Sequence, residues 1–71
     1  MFIDLHGLTE VEAILKIETA LMTFHDSHEH AMEIITGNGI VLRDLAIQMV
    51  QDNGYNWQHE GGNTGAITVY K

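Results

Sequence analysis

The stretch Phe2-Ile3-Asp4-Leu5-His6-Gly7, followed at once by Leu8-Thr9, leaves this chain few folds to choose from. It reads as a short strand that stops at a glycine and hands over to a helix. Strand side chains alternate in direction, so Ile3 and Leu5 point one way and Asp4 and His6 the other. An acid and an imidazole therefore share a side at the strand's end. Gly7 follows, where the backbone can take angles that a residue with a Cβ resists. Everything downstream reads as a platform that holds this corner.

The next residues support that reading. Thr9-Glu10-Val11-Glu12 fits a capping box, with Thr9 as N-cap and Glu12 three positions on. Acids in the first turn suit the positive end of the helix dipole. The helix runs to about Phe24. Its expected buried stripe is Ile14, Ile17, Leu21 and Phe24, widened by Val11, Leu15 and Met22. His25-Asp26-Ser27-His28-Glu29-His30 is polar and reads as a connection. A second strand is predicted over Met32–Thr36, ended by Gly37-Asn38-Gly39. Leu42, Leu45, Ala46, Met49 and Val50 then recur at the clearest helical spacing in the chain, and Asn53-Gly54 stops that helix. Tyr55–His59 reads as a third strand, Gly61–Gly65 as a flexible loop, and Ala66–Tyr70 as a β-branched fourth strand.

The order β-α-β-α-β-β predicts an α/β fold, an α+β two-layer sandwich: a four-stranded mixed sheet with both helices on one face, since strand–helix–strand crossovers are almost always right-handed. Seventy-one residues make a single domain, residues 1–71, with a limited core. There is no cysteine and hence no disulfide or thiolate metal site. No apolar run approaches the ~18–20 residues a membrane span needs, and no signal segment opens the chain. A soluble, cytoplasmic domain is expected, free-standing or cut from a longer protein. The net charge is −7, with Lys16, Arg43 and Lys71 as the only Lys and Arg residues. Nucleic-acid affinity rests largely on such residues neutralising phosphates, so charge alone argues for weak binding at most, or for a basic partner.

Geometry qualifies the charge argument. With the first three strands parallel, their C-terminal ends share one edge, and the turns at Gly7, Gly37–Gly39 and Gly61–Gly65 leave from it. Ligands of open α/β sheets favour that edge. Both helices start there, presenting N–H groups and a positive dipole end to an anion without much Lys or Arg. Arg43, in the first turn of the second helix, adds a guanidinium. Asp4 and His6 lie beside this edge as candidate catalytic residues. An imidazole titrates near neutrality and serves as acid or base. On RNA, His6 would take the proton from a ribose hydroxyl as it attacks the next phosphate. On DNA water must attack, and a divalent cation, magnesium or manganese, held partly by Asp4 is then expected.

Plainer readings fit the same residues. Asp4 and His6 also suit a polar pair on a solvent face, Gly37-Asn38-Gly39 an ordinary turn, and Arg43 an exposed helix position. The glycine segment lacks the third glycine of a dinucleotide fingerprint and the lysine of a P-loop. His25, His28 and His30 would offer zinc or nickel ligands, but the spacing matches no structural site and a solvated loop is the simpler reading. Trp57 and Tyr55 would stack bases, or pack on the sheet.

Taken together, Asp4-Leu5-His6-Gly7-Leu8-Thr9 with Glu12-Ala13, Ile34-Ile35-Thr36-Gly37-Asn38-Gly39 leading to Leu42-Arg43, and Gly61-Gly62-Asn63-Thr64-Gly65 through Val69 resemble the Smr domain, the small MutS-related module. The resemblance covers nearly the whole chain. It implies a two-layer fold like the C-terminal domain of translation initiation factor three. It also implies nucleic-acid binding and, in many members, endonuclease activity: nicking of DNA, as in repair, or cleavage of mRNA on stalled ribosomes. The family's Asp-Leu-His-Gly motif falls on Asp4, Leu5, His6 and Gly7. Its His-Gly-x-Gly motif falls on Thr36, Gly37, Asn38 and Gly39, where Thr36 replaces the histidine and Asn38 stands where a basic residue is common. The expected nucleic-acid contacts are thus Gly7, Thr36, Gly37, Asn38, Gly39, Arg43, Gly62 and Asn63. The alternative is a non-catalytic adaptor docking on a larger protein or the ribosome.

Overall fold

The computed structural model describes the backbone of residues 1–71 and all side chains except those of residues 63 and 64. Strand β1 (Phe2–Asp4) leads to helix α1 (Glu10–Asp26), strand β2 (Ala31–Ile35), helix α2 (Ile40–Asp52) and the hairpin β3 (Asn56–Glu60) and β4 (Asn63–Tyr70). The four strands form one sheet in the order β1-β2-β4-β3. β1 runs parallel to β2, and β4 runs antiparallel to both β2 and β3. Hence β1, β2 and β3 point the same way, and their C-terminal ends share one edge as expected.

Side-chain alternation decides where the helices go. Along β2, Met32 and Ile34 are buried, and their cross-strand partners Val69 and Ile67 are buried too. These four join one cluster with Ala13, Ile17, Ala20, Leu21 and Phe24 of α1 and Ala46 and Val50 of α2. Both helices therefore cover the same face. The other face carries Phe2, Glu33, Thr68 and Gln58 in register across all four strands. No helix among the described residues is long and apolar enough to cross a membrane.

The stripe predicted for α1 is corrected in part. Ile17, Leu21 and Phe24 are buried and Ile14 is half-buried, but Val11, Leu15 and Met22 are exposed. Ala13 and Ala20 take their place in the core. A residue with no more than a methyl group lets the helix backbone approach the sheet closely, so the line of contact runs through the alanines. A second correction concerns Gly61–Gly65. Only Gly61 and Gly62 lie outside the strands, with Gly62 at φ 73°. β4 begins at Asn63, because its backbone pairs with Glu60 on one side and, from Ala66, with Ile35 on the other.

The predicted capping box at α1 is present. Thr9 Oγ1 accepts from Glu12 N–H at 3.2 Å, and Glu12 Oε1 accepts from Thr9 N–H at 2.9 Å. The hydrogen bonds with Thr9, the backbone one foremost, hold the Glu12 carboxyl below its ordinary pKa. A lowered acid pKa stabilises the fold above the unfolded-state value, and that contribution is lost as pH falls through the folded value. Urea midpoints measured in acid, below the ordinary glutamate pKa of about 4.3, should therefore fall less steeply in Glu12→Gln than in the parent chain. Equal slopes would show the cap to be energetically idle.

Candidate nucleic-acid interface

The first bend is built from β1 outward. Leu5 is fully buried and extends the parallel ladder one step, its N–H donating to the Ile35 carbonyl at 2.7 Å. The Leu8 N–H then closes on the Leu5 carbonyl at 3.1 Å, with Gly7 at φ 81° in between. A positive φ at this position is what a type II turn demands, and glycine supplies it without strain. His6 is carried at the outer corner of the turn, exposed.

Asp4 does not meet His6 as strand alternation predicted. The strand ends at Asp4. There the carboxylate Oδ1 accepts from the His6 backbone N–H at 2.9 Å. The acid thus shapes the loop that carries the imidazole, through a side-chain-to-backbone bond of the Asx kind. Lys16, reaching from α1, donates to the Asp4 carbonyl at 3.1 Å. Neither tie is visible in the sequence pattern, since Lys16 sits on the polar side of an ordinary amphipathic helix.

The second bend packs against the first. Gly37 has φ 73°, and a Cβ built on it would fall 3.0 Å from His6 Cδ2. The imidazole therefore lies directly over the bare Cα of Gly37. The third segment is tied to the second by one carbonyl: Gly65 O accepts from Thr36 N–H at 2.7 Å and from Gly37 N–H at 3.1 Å. Thr36, only 2 % exposed, places Oγ1 3.2 Å from the same carbonyl. The bends at Gly7 and Gly37 therefore meet through His6, and β4 joins them through Gly65, while the turn at Gly61 and Gly62 leaves the sheet at the C-terminal end of β3. Gly65 went unrecognised as a site residue because a backbone acceptor leaves no trace in residue type.

The two helix starts at this edge differ. α1 is closed by its own capping box and carries Glu10 and Glu12 in its first turn, so it does not offer the open anion site expected of both helices. α2 starts from Gly39, which has no side chain to cap it, and its first turn holds no acid. The first N–H groups of α2 have no carbonyl partner within the helix, and the dipole adds partial positive charge there. Gly37 contributes shape rather than an N–H, since its own is taken by Gly65. Asn38 and Gly39 are exposed.

Arg43 lies on the first turn of α2, half-buried, with Nε 3.7 Å from Asp44 Oδ1. A neighbour pair this loose is worth little, and it leaves the guanidinium able to turn toward an anion. Lys71 is committed elsewhere, donating to the Ser27 carbonyl and lying 4.9 Å over the Phe24 ring. Gly62 is exposed in the hairpin turn, and the Asn63 side chain lies outside the described residues. His25 belongs to α1 rather than to the polar connection, and no group of His, Asp and Glu able to hold a metal ion occurs among the described residues. Trp57 is half-buried against the core and meets His59 edge-on.

The Smr domain family model matches residues 3–71. The chain belongs to the Smr domain family. Its members generally bind nucleic acid. No curated protein and no solved structure matches this Smr domain.

Gly37 gives the sharpest local test of the geometry. Gly37→Ala meets a left-handed φ and a 3.0 Å contact with His6 together. The backbone term alone costs about 1–2 kcal/mol, and the imidazole must move. The expected result is a lower melting temperature together with displaced His6 ring signals in NMR spectra. An unshifted ring would mean that His6 does not rest on Gly37.

Proposed function

We propose that this Smr domain binds single-stranded RNA by seating one backbone phosphate at the start of α2, and that His6 acts on the phosphodiester held there. The observation that carries the reading is the uncapped, acid-free start of α2 beside an exposed imidazole packed on Gly37. Anions bind at such helix starts because free N–H groups and the dipole act together. Arg43 adds a contact from the first turn.

In RNA the nucleophile is built in. His6 would accept the proton of the 2′-hydroxyl as its oxygen attacks the adjacent phosphorus; the bond from phosphorus to the 5′-oxygen breaks, and that oxygen takes a proton from water. This route uses an imidazole and fixed dipoles alone. The DNA route needs an activated water and, by expectation, magnesium or manganese. Asp4 is a poor start for such a centre: one oxygen is engaged by the His6 N–H, and no second and third ligand gather with it among the described residues.

The test is a two-dimensional amide NMR titration with a short single-stranded RNA at several salt concentrations. Shifts should centre on Asn38, Gly39, Ile40, Val41 and His6. With only one or two phosphates neutralised, log K should fall with log salt at a slope of about −0.7 to −1.4. Shifts confined to the exposed sheet face, or none, would overturn the reading.

A further inference from the structure

The outward face of α1 carries apolar side chains that the fold does not use. Val11, Leu15 and Met22 are 68 %, 60 % and 70 % exposed. Spaced by four and then seven residues, they fall on a single stripe, with Glu18 in its middle. Glu18 and Met22 also line a hollow of about 470 Å³ together with Leu21, His25, Asn53 and Tyr55. The hollow sits at the C-terminal ends of α1 and α2, remote from the glycine bends.

Charge narrows what covers this face. Six of the ten acids lie on the two helices, against Lys16 and Arg43. Lys16 is drawn aside to the Asp4 carbonyl. Nucleic acid is repelled by such a surface, and a second copy of this chain would set acid against acid. We propose that the stripe docks a basic, amphipathic helical segment of a partner protein. Its apolar side would lie along Val11, Leu15 and Met22, which span about 16 Å of helix. A Lys or Arg of the partner would enter the hollow to meet the Glu18 carboxylate and the Tyr55 ring.

The probe is a synthetic helical peptide of about four turns, with leucines on one face and lysines on the other, titrated into the full chain by calorimetry and amide NMR. Its counterpart with glutamate for every lysine is the control. Shifts should map to α1 and Tyr55, and the acidic peptide should not bind. Leu15→Ser and Met22→Ser should each weaken binding at least about tenfold, and Glu18→Gln by less, with a shallower salt dependence. All three sites are exposed, so the variants should melt like the parent. Binding of both peptides alike, no shifts on α1, or sedimentation showing the chain alone dimerising through this stripe would each overturn the proposal. RNA binding is read on a different surface, so either idea can fail without the other.

Discussion

Alanine in place of His6 is expected to slow the proposed RNA cleavage by about 10²–10⁴-fold, the usual worth of a positioned acid or base, without unfolding the domain. His6 is exposed and its ring lies against Gly37, so its removal opens little of the core. Asp4 separates the alternatives. Asn keeps an oxygen that can accept from the His6 N–H, as Asp4 Oδ1 does at 2.9 Å, but it carries no charge. If Asp4 shapes the loop, Asp4→Asn should retain most activity on RNA, Asp4→Ala should lose much of it, and a chelator should change nothing. Gel assays on a structured RNA and a supercoiled plasmid, with and without chelator, read all of these. A chelator-sensitive activity killed by Asn would make Asp4 an ion ligand. Full cleavage by the Asp4→Ala, His6→Ala double variant would remove both residues from the chemistry.

Phe24→Ala should produce the largest loss of stability of any single change. Phe24 is fully buried near the end of α1, with its ring 5.5 Å from that of Tyr55 and the Lys71 ammonium over its face. Truncating such a ring costs about 3–5 kcal/mol. A domain of 71 residues has roughly 4–10 kcal/mol in total, so the variant should lose a large part of its stability and unfold at a much lower urea concentration. Circular dichroism during urea unfolding checks this. Leu15→Ala, an apolar truncation on the same helix, should change stability by no more than about 0.5 kcal/mol. If the two variants melted alike, the assignment of buried and outward faces of α1 would be wrong.

That pair of substitutions shows where sequence reading reaches its limit. Leu15 and Phe24 are both apolar and both fit a helical period. Which of them is buried depends on where the sheet and α2 press against α1, and small residues at 13 and 20 drew that line away from Val11, Leu15 and Met22. The Gly61–Gly65 segment failed similarly. Its composition favours a loop, yet backbone pairing with β2 and β3 makes a strand of all but two residues. Asp4 and His6 were recognised as neighbours, but the early end of β1 turned an expected side-chain pair into a contact between a carboxylate and the backbone.

What the sequence determined by itself is local. The Thr9–Glu12 cap, the helical period of residues 42–50, the turn at Gly7 and the order of elements each rest on forces acting within a few residues, and a linear pattern records those directly. The tertiary structure decided what joins distant segments: the Gly65 carbonyl that ties β4 to the second bend, and the imidazole resting on Gly37. Such contacts depend on strand order and on backbone groups every residue shares, so no choice of side chain announces them.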